Sequence, residues 1–209
     1  MGLTATNLPE GDSRKDKGQA LSSSPQREII FETARLQLVR ANLIDIPHFV
    51  AVYCSQVMMA HLGSPFSEEQ AAARIDTWNT QWNELGWGGG VVIDKNTQAS
   101  IGTAKIILTK LPDYLGSHEV GYMILPQYQG NRFASEITGG AVKYLFERAR
   151  AQQIVADVHP DNSPSNRVLQ KLGFLNQGIK SYNQADFPGY DQQRIWLLTQ
   201  DKWKADNKT

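Results

Sequence analysis

The pattern of apolar residues changes near Leu125, and this change restricts the folds that the chain can adopt. Before it, short polar connections separate strand-sized segments, which lie at 29–31, 35–40, 91–94, 101–110 and 118–125. Such spacing predicts an antiparallel meander. After it, helical and strand-like segments alternate, at 132–151, 154–158, 162–172, 174–181 and 194–199. Because a strand–helix–strand order requires a crossover connection, the sequence predicts an α/β (α+β) fold with a mixed sheet.

Two further helices are predicted inside the meander, after the segment at 35–40. Asn42 can cap the first, which runs to Tyr53. Ser67 followed by Gln70 has the pattern of a capping box at the start of the second. We expect the glycines at 86 and 88–90 to end that helix.

Length and charge narrow the class of protein. A chain of 209 residues fits one domain, and we expect a disordered polar tail at 1–27 followed by a domain at 28–209. Lys+Arg and Asp+Glu number 21 each, which argues against a protein built to bind nucleic acid. No run approaches the roughly 18 apolar residues of a membrane helix, so we expect no membrane partner.

Cysteine and histidine usage limits the chemistry. Cys54 is the only cysteine, which excludes a disulfide within the chain and a multi-cysteine metal site. The four histidines lack the spacing of a zinc site, so no metal is predicted. The single cysteine fits a reducing compartment, and we expect a cytoplasmic location.

The loop at 125–134 joins a predicted strand to the longest predicted helix. The start of a helix presents free backbone N–H groups, which favour an anion. Gly130 permits a close approach of the ligand, and Arg132 can add positive charge. The loop is therefore either a pyrophosphate site or an ordinary strand-to-helix turn, and one glycine does not separate the two.

Two blocks of sequence resemble the GNAT superfamily of acyl-CoA-dependent N-acyltransferases. Gln127 and Gly130 match its motif [QR]-x-x-G-x-[GA], with Arg132 in place of the final small residue. The block at 162–174 is similar to the family's N-x-x-S-x-x-[VL]-[LY]-x-K-x-G-F element, matched by Asn162, Ser165, Val168, Leu169, Lys171, Gly173 and Phe174.

Two more blocks resemble the branch of this superfamily that acetylates ribosomal-protein N-termini. The segment at 31–40 is similar to its T-E-R-L-x-L-R opening, and 118–122 is similar to its E-[IL]-G-Y strand. The resemblance spans about Ile30 to Leu198. It implies a mixed, mostly antiparallel sheet of about seven strands, helices on both faces, and splayed fourth and fifth strands at 118–125 and 154–158.

The resemblance also implies a binding cleft for acetyl-CoA. The backbone of Met123, Ile124 and Leu125 is expected to pair with the pantetheine arm. Amides in the loop are expected to hold the pyrophosphate, from Gln129, Gly130, Asn131, Arg132, Phe133 and Ala134. Arg132 departs from the motif: an outward side chain is compatible with cofactor binding, and an inward one is not.

The implied reaction is direct attack of a primary amine on the acetyl thioester, which needs a proton acceptor and a proton donor. Glu119 is the candidate base, with a pKa raised in a partly dry cleft. Alternatively it is a solvated strand residue, or one that only binds a cationic substrate. His118 should point to the opposite side. Ser165 is the candidate donor to the leaving thiolate, or a residue of the helix cap. Asn162 is a cofactor contact, a helix cap, or both.

The acceptor is less constrained than the donor. The first two helices, their linker and the loop at 187–190 should bound its site, and a protein N-terminus, a small amine or an amino acid all fit. The chain is expected to be a monomer or a homodimer. A non-catalytic acyl-CoA-binding or regulatory module with the same fold remains the alternative function.

Gly139 and Gly140 lie inside the longest predicted helix, where they permit close packing or mark a bend.

Overall fold

Eight strands form one sheet in the part of the chain that the structure describes, which is residues 27–182 and 192–207 of a computed structural model. They are β1 (Ile29–Glu32), β2 (Leu36–Val39), β3 (Gly88–Asp94), β4 (Ser100–Leu108), β5 (His118–Ile124), β6 (Gln153–Val158), β7 (Leu175–Ser181) and β8 (Gln192–Thr199). Their order across the sheet is β1-β2-β3-β4-β5-β6-β8-β7. The mixed α/β fold is confirmed, with eight strands instead of about seven.

The α-helices of the described ranges are α1 (Ile46–Tyr53), α2 (Gln56–Met59), α3 (Glu68–Leu85), α4 (Phe133–Glu147), α5 (Ser163–Lys171) and α6 (Gln200–Asp206). The cap predicted at Ser67 is present as a capping box on α3, and Gly86 ends α3 in the left-handed conformation with φ +73°. Asn42 also forms a capping box, but on a 3-10 turn (Leu43–Asp45) that leads into α1, which corrects the prediction that Asn42 caps the longer helix itself. The short helices α2 and α6 were not predicted, because neither has enough residues to show a helical period.

The strands β5 and β6 separate soon after they begin. They are the one parallel pair in the described sheet, and they pair at His118↔Ile154 and Glu119↔Val155. Beyond that point β5 stays paired with β4 as far as Ile124, and β6 stays paired with β8 as far as Val158. The predicted splay between these two strands is therefore confirmed, and it opens a cleft toward their carboxyl ends.

Each face of the sheet has its own apolar core. Helices α4 and α5 cover one face, here called the α4–α5 face, through side chains such as Ile137, Leu145 and Leu169. Helices α1 and α3 cover the other, the α1–α3 face, through Phe49 and Trp78 among others. Burial of these side chains contributes about 1.5–3 kcal/mol each before entropic costs. The predicted helices on both faces are confirmed.

The glycines at 88–90 belong to β3 instead of ending α3, which corrects the prediction. A Cβ on Gly89 would lie 2.2 Å from the ring of Trp78. Only glycine therefore lets α3 pack this closely on β3, and that packing requirement has no signature in a single sequence. The indole Nε1 of Trp82 also donates to the Gly89 carbonyl at 2.9 Å.

The predicted N-terminal tail lies mostly outside the described residues. Of the predicted tail at 1–27, the structure describes Arg27, whose guanidinium pairs with the buried carboxylate of Asp45 at 2.6 Å. None of the helices within the described ranges has the length and apolar character that would be needed to cross a membrane.

The two adjacent glycines of α4 give a matched test of the packing. A Cβ on Gly140 would lie 2.6 Å from Thr33 Cγ2 and 2.7 Å from the ring of Phe31, whereas one on Gly139 would make an ordinary 3.6 Å contact with Leu172. We predict that Gly139→Ala raises the free energy of unfolding by about 0.5–1 kcal/mol. Gly140→Ala should lower it by about 1–3 kcal/mol. Urea denaturation measures both, and equal effects would contradict the packing described for Gly140.

Candidate active site

The free edge of β5 forms one wall of the cleft. Backbone groups in an antiparallel strand alternate between its two edges. The Leu125 amide donates to Ile101 O of β4 at 3.0 Å, so Leu125 and, by alternation, Met123 face β4. The groups of Tyr122 and Ile124 face the cleft instead. This corrects the expectation that the backbone groups of Met123 and Leu125 are available to a ligand.

The loop after β5 presents a row of amides without acceptors. Within the described residues, the amides of residues 130–135 donate to no protein group, and the first amide bonded into α4 is that of Glu136, to Arg132 O. The Gln129 amide is already bonded to Pro126 O at 3.1 Å, which removes it from the predicted set. The Gln129 side chain donates to Ile124 O at 2.9 Å and so joins the loop to β5. The remaining donors suit an anion at the start of α4.

Arg132 occupies the N-cap position of α4 in the left-handed conformation, with φ +63° and ψ 13°. Its side chain is exposed and makes no cap hydrogen bond. The small residue of the family motif is explained by this backbone conformation, which glycine adopts without strain. An arginine at an N-cap leaves the amides uncapped, whereas Ser or Asp would accept from them.

A buttress that the sequence did not predict holds this loop. The Arg35 side chain donates to Glu136 Oε2 at 2.7 Å and to Asn131 O at 3.0 Å, and its guanidinium carbon lies 4.6 Å from the centre of the Phe133 ring. The Arg35 amide and the Thr33 hydroxyl donate to Glu136 Oε1 at 2.8 and 2.7 Å. Thr33 and Arg35 belong to the opening block that carried the family resemblance, so their spacing was the available signal.

Glu119 lies on the α1–α3 face in a network of donors. Glu119 is opposite Ile107 of β4, and Lys105 lies two residues before Ile107 on the same face. Lys105 is in turn opposite Gly89 of β3, which lies beneath α3. Lys105 Nζ approaches Glu119 Oε1 at 2.5 Å, and the Thr109 hydroxyl donates to Oε2 at 2.8 Å. Burial by itself raises the pKa of Glu119, but the Lys105 charge and these hydrogen bonds outweigh it and lower that pKa. The expectation of a raised pKa at Glu119 is therefore wrong.

The raised pKa belongs to Asp157, which the sequence did not single out. Val155 pairs with Glu119, so Asp157, two residues later in β6, lies on the same face and hydrogen-bonds to the Glu119 carboxylate. Burial and then the negative charge of Glu119 raise the pKa of Asp157 to about 7. Like-charged neighbours disfavour double ionisation, so the pair holds one proton near neutral pH. A lone carboxylate in the apolar segment 154–158 was the signal available.

Ser165 and Asn162 lie at the start of α5, at the carboxyl end of β6. Asn162 is the N-cap, and its side chain accepts from the Ser165 amide at 3.2 Å. The Tyr122 hydroxyl of β5 donates to Ser165 Oγ at 3.2 Å. The cap role of Asn162 is therefore confirmed. Tyr122 is an additional residue that links β5 to α5 across the gap between the splayed strands.

The two histidines near the cleft have other surroundings. His118 lies against the ring of Trp87, with ring centres 4.4 Å apart, and burial lowers its pKa. It takes no part in the carboxylate network, as predicted. His159 follows β6 and stacks on His61 of the α2–α3 linker, with ring centres 5.3 Å apart. The predicted acceptor loop at 187–190 lies outside the described residues.

Within the described ranges, no three His, Cys, Asp or Glu side chains are grouped so as to hold a metal ion. The titratable groups that meet near the start of the cleft include Lys105, Glu119 and Asp157. They can hold, release and accept a proton beside a thiol or amine that enters the cleft.

The proton held by the carboxylate pair makes stability depend on pH. Folded Asp157 retains a proton that the unfolded chain loses above its ordinary carboxyl pKa, so raising the pH to about 7 favours unfolding. We predict that the free energy of unfolding of Asp157→Asn, minus that of wild type, increases between about pH 5 and pH 7. The increase should be on the order of 1 kcal/mol per pH unit. Urea denaturation at both pH values measures this. The exposed Asp76→Asn is the control, and a difference that shrinks with pH would contradict the assignment.

Comparison with known proteins agrees with the geometry. The family model described as an acetyltransferase (GNAT) domain matches residues 35–175. The uncharacterized N-acetyltransferase YoaA of Bacillus subtilis is 32% identical over 155 residues, covering 72% of this chain and 85% of the relative.

Solved structures share the fold at lower identity. A GNAT-family acetyltransferase from Bacillus anthracis superposes with a TM-score of 0.69 at 19% identity, covering 82% of this chain and 98% of that one. The ribosomal-protein-S5-alanine acetyltransferase of Vibrio fischeri gives 0.65 at 22% identity, covering 83% and 98%. The cleft, the loop and these matches lead to one conclusion: the chain belongs to the GNAT family of N-acetyltransferases.

Proposed function

We propose that the protein transfers an acetyl group from acetyl-CoA to a primary amine by direct attack of the amine on the thioester. The observation that carries this proposal is the continuity of the site. The open edge of β5 leads at one end to the uncapped amides of residues 130–135, and at the other to the carboxylate pair Glu119–Asp157. A thioester bound along this edge would have its phosphates at α4 and its acetyl group beside a proton acceptor.

The residues of the loop fit the diphosphate of the donor. Amides from Gly130 to Ala134 would bind it, and the exposed Arg132 can reach a peripheral phosphate without entering the loop. The backbone groups of Tyr122 and the amide of Ile124 would pair with the pantetheine arm, since the Ile124 carbonyl already accepts from Gln129. Asn162 would contact the same arm, beside its role as a cap.

In this mechanism the carboxylates Glu119 and Asp157 have different roles. Lys105 and Thr109 keep Glu119 ionised, and its charge raises the proton affinity of Asp157. Because the pKa of Asp157 is close to neutral, the ionised form of Asp157 is well populated near pH 7, and it is this form that accepts a proton from the acceptor amine, directly or through water. Glu119, the base expected from the sequence, acts through Asp157 and helps to hold a cationic amine.

Ser165 is the proposed donor to the departing sulfur. Because its oxygen accepts from Tyr122, its own hydrogen is left to point into the cleft. The C–S bond breaks as the N–C bond forms, the electron pair goes to sulfur, and the Ser165 hydroxyl stabilises the developing thiolate. The proton released by the amine goes to Asp157, and solvent exchange returns the site to its initial state.

Substitution of the carboxylates tests the reaction. Asp157→Asn and Glu119→Gln keep the side-chain shapes but remove the proton acceptor, so kcat should fall by roughly 100-fold or more. The Kd for acetyl-CoA should stay within about twofold, because neither residue contacts the loop. Free thiol release measures turnover, and calorimetry measures binding. If wild type binds acetyl-CoA but acetylates no amine in a broad panel, the enzyme proposal is wrong and the non-catalytic module is correct.

The Arg35 buttress gives a test specific to the phosphate site. Arg35→Ala removes the contacts to Asn131 O and Glu136 and should raise the KM for acetyl-CoA by roughly tenfold. The KM for acetyl-pantetheine, which lacks the diphosphate, should be unaffected. Equal losses with both donors would show that Arg35 supports the fold and not the phosphate loop.

A further inference from the structure

Across the described ranges, Arg74 on the α1–α3 face is a half-buried cation without a carboxylate partner. Arg74 of α3 has its guanidinium carbon 5.5 Å from the centre of the Tyr53 ring and 5.1 Å from that of Phe66. The two rings stack on each other with centres 5.5 Å apart and planes 18° apart. Among the described residues, no ion pair or hydrogen bond engages this guanidinium, whereas Arg35 and Arg40 each pair with a glutamate.

The platform of Arg74 connects directly to the site. The buried hydroxyl of Tyr53 lies 3.2 Å from Thr103 Oγ1 of β4, and Thr103 is opposite Met123 of β5. Lys105 follows two residues later on the same face. Burial raises the pKa of the Tyr53 hydroxyl, and the charges of Arg74 and Lys105 both oppose that shift. The positive charges of Arg74 and Lys105 therefore both favour ionisation of the Tyr53 hydroxyl, which lies between α3 and the carboxylate pair.

The two carboxylates of the site are not partners of Arg74. Glu119 is paired with Lys105, and Asp157 is hydrogen-bonded to Glu119. As far as the structure describes the chain, Arg74 is therefore a cation on this face whose charge no carboxylate matches. A half-buried guanidinium loses hydration, and cation–π contact recovers only about 0.5–2 kcal/mol. Its planar fork is suited to bidentate binding of a carboxylate or phosphate.

We infer that Arg74 is a specificity residue that binds an anionic group of the acceptor, so the preferred acceptor carries a carboxylate or phosphate together with its amine. The inference rests on the proposed acetyl transfer and narrows its substrate class. The amine end of such a zwitterion meets the carboxylates Glu119 and Asp157, while its anionic end meets Arg74. A neutral amine of the same size leaves Arg74 without a partner.

Matched acceptor pairs test this inference. Glycine is compared with glycinamide, and phosphoethanolamine with ethanolamine, at equal concentrations of unprotonated amine. Wild type should favour the anionic member of at least one pair by roughly tenfold or more in kcat/KM. The pair that shows the preference identifies carboxylate or phosphate as the recognised group.

Variants at position 74 separate recognition from structural support. Arg74→Met keeps an apolar stem against the rings but removes the charge, and it should reduce the anionic-to-neutral ratio to about one. Arg74→Lys should retain part of the ratio, because the charge remains without the fork. Arg148→Met, on the exposed end of α4, is the matched control and should keep the wild-type ratio.

Each outcome decides a different question. Acetylation of both members of each pair at equal rates by wild type overturns the role of Arg74 but leaves acetyl transfer intact. A loss of activity in Arg74→Met that is the same for both members assigns Arg74 to structural support and overturns the inference. Failure of wild type to acetylate any amine removes the proposed function, and the inference with it.

Discussion

The early separation of β5 from β6 is the feature on which the rest of the site depends. A parallel pair of strands normally satisfies its backbone groups along its length. Here pairing stops after His118↔Ile154 and Glu119↔Val155. The flanking strands keep their pairing, β4 with β5 and β8 with β6, so the sheet stays intact while a gap opens between β5 and β6. The unpaired edge of β5 therefore presents backbone groups without strand partners inside a folded domain.

The separation also explains why two carboxylates lie together inside the protein. Glu119 and Asp157 come from the two strands at the point where these diverge, and both face α3. Burial of two negative charges would be costly. Lys105 compensates one of them, and a proton compensates the other. The resulting proton affinity follows from position alone and requires no unusual side chain.

Much of the architecture could be predicted from the sequence, because it has local signals. The caps at Asn42 and Ser67, the helix start after Gly130 and the break between meander and crossover unit all follow from short patterns. The family blocks located Ser165 and Asn162 as well. Other features depend on residues that are distant in the sequence. The strand assignment of Gly89 depends on Trp78, and the role of Arg35 depends on Glu136, about a hundred residues later. The proton affinity of Asp157 depends on Glu119. Such long-range contacts leave no pattern in one sequence, and the edge alternation that commits the Leu125 amide to β4 needs the sheet register.

Amide hydrogen exchange with and without acetyl-CoA tests the central claim most directly, which is that the open edge of β5 and the start of α4 together bind the donor. Residue-resolved exchange should slow at Tyr122 and Ile124 and at the amides of residues 130–135 when acetyl-CoA is added. The Leu125 amide, already bonded to Ile101, should change little. Protection confined to another part of the chain, or none at saturating acetyl-CoA, would contradict the account.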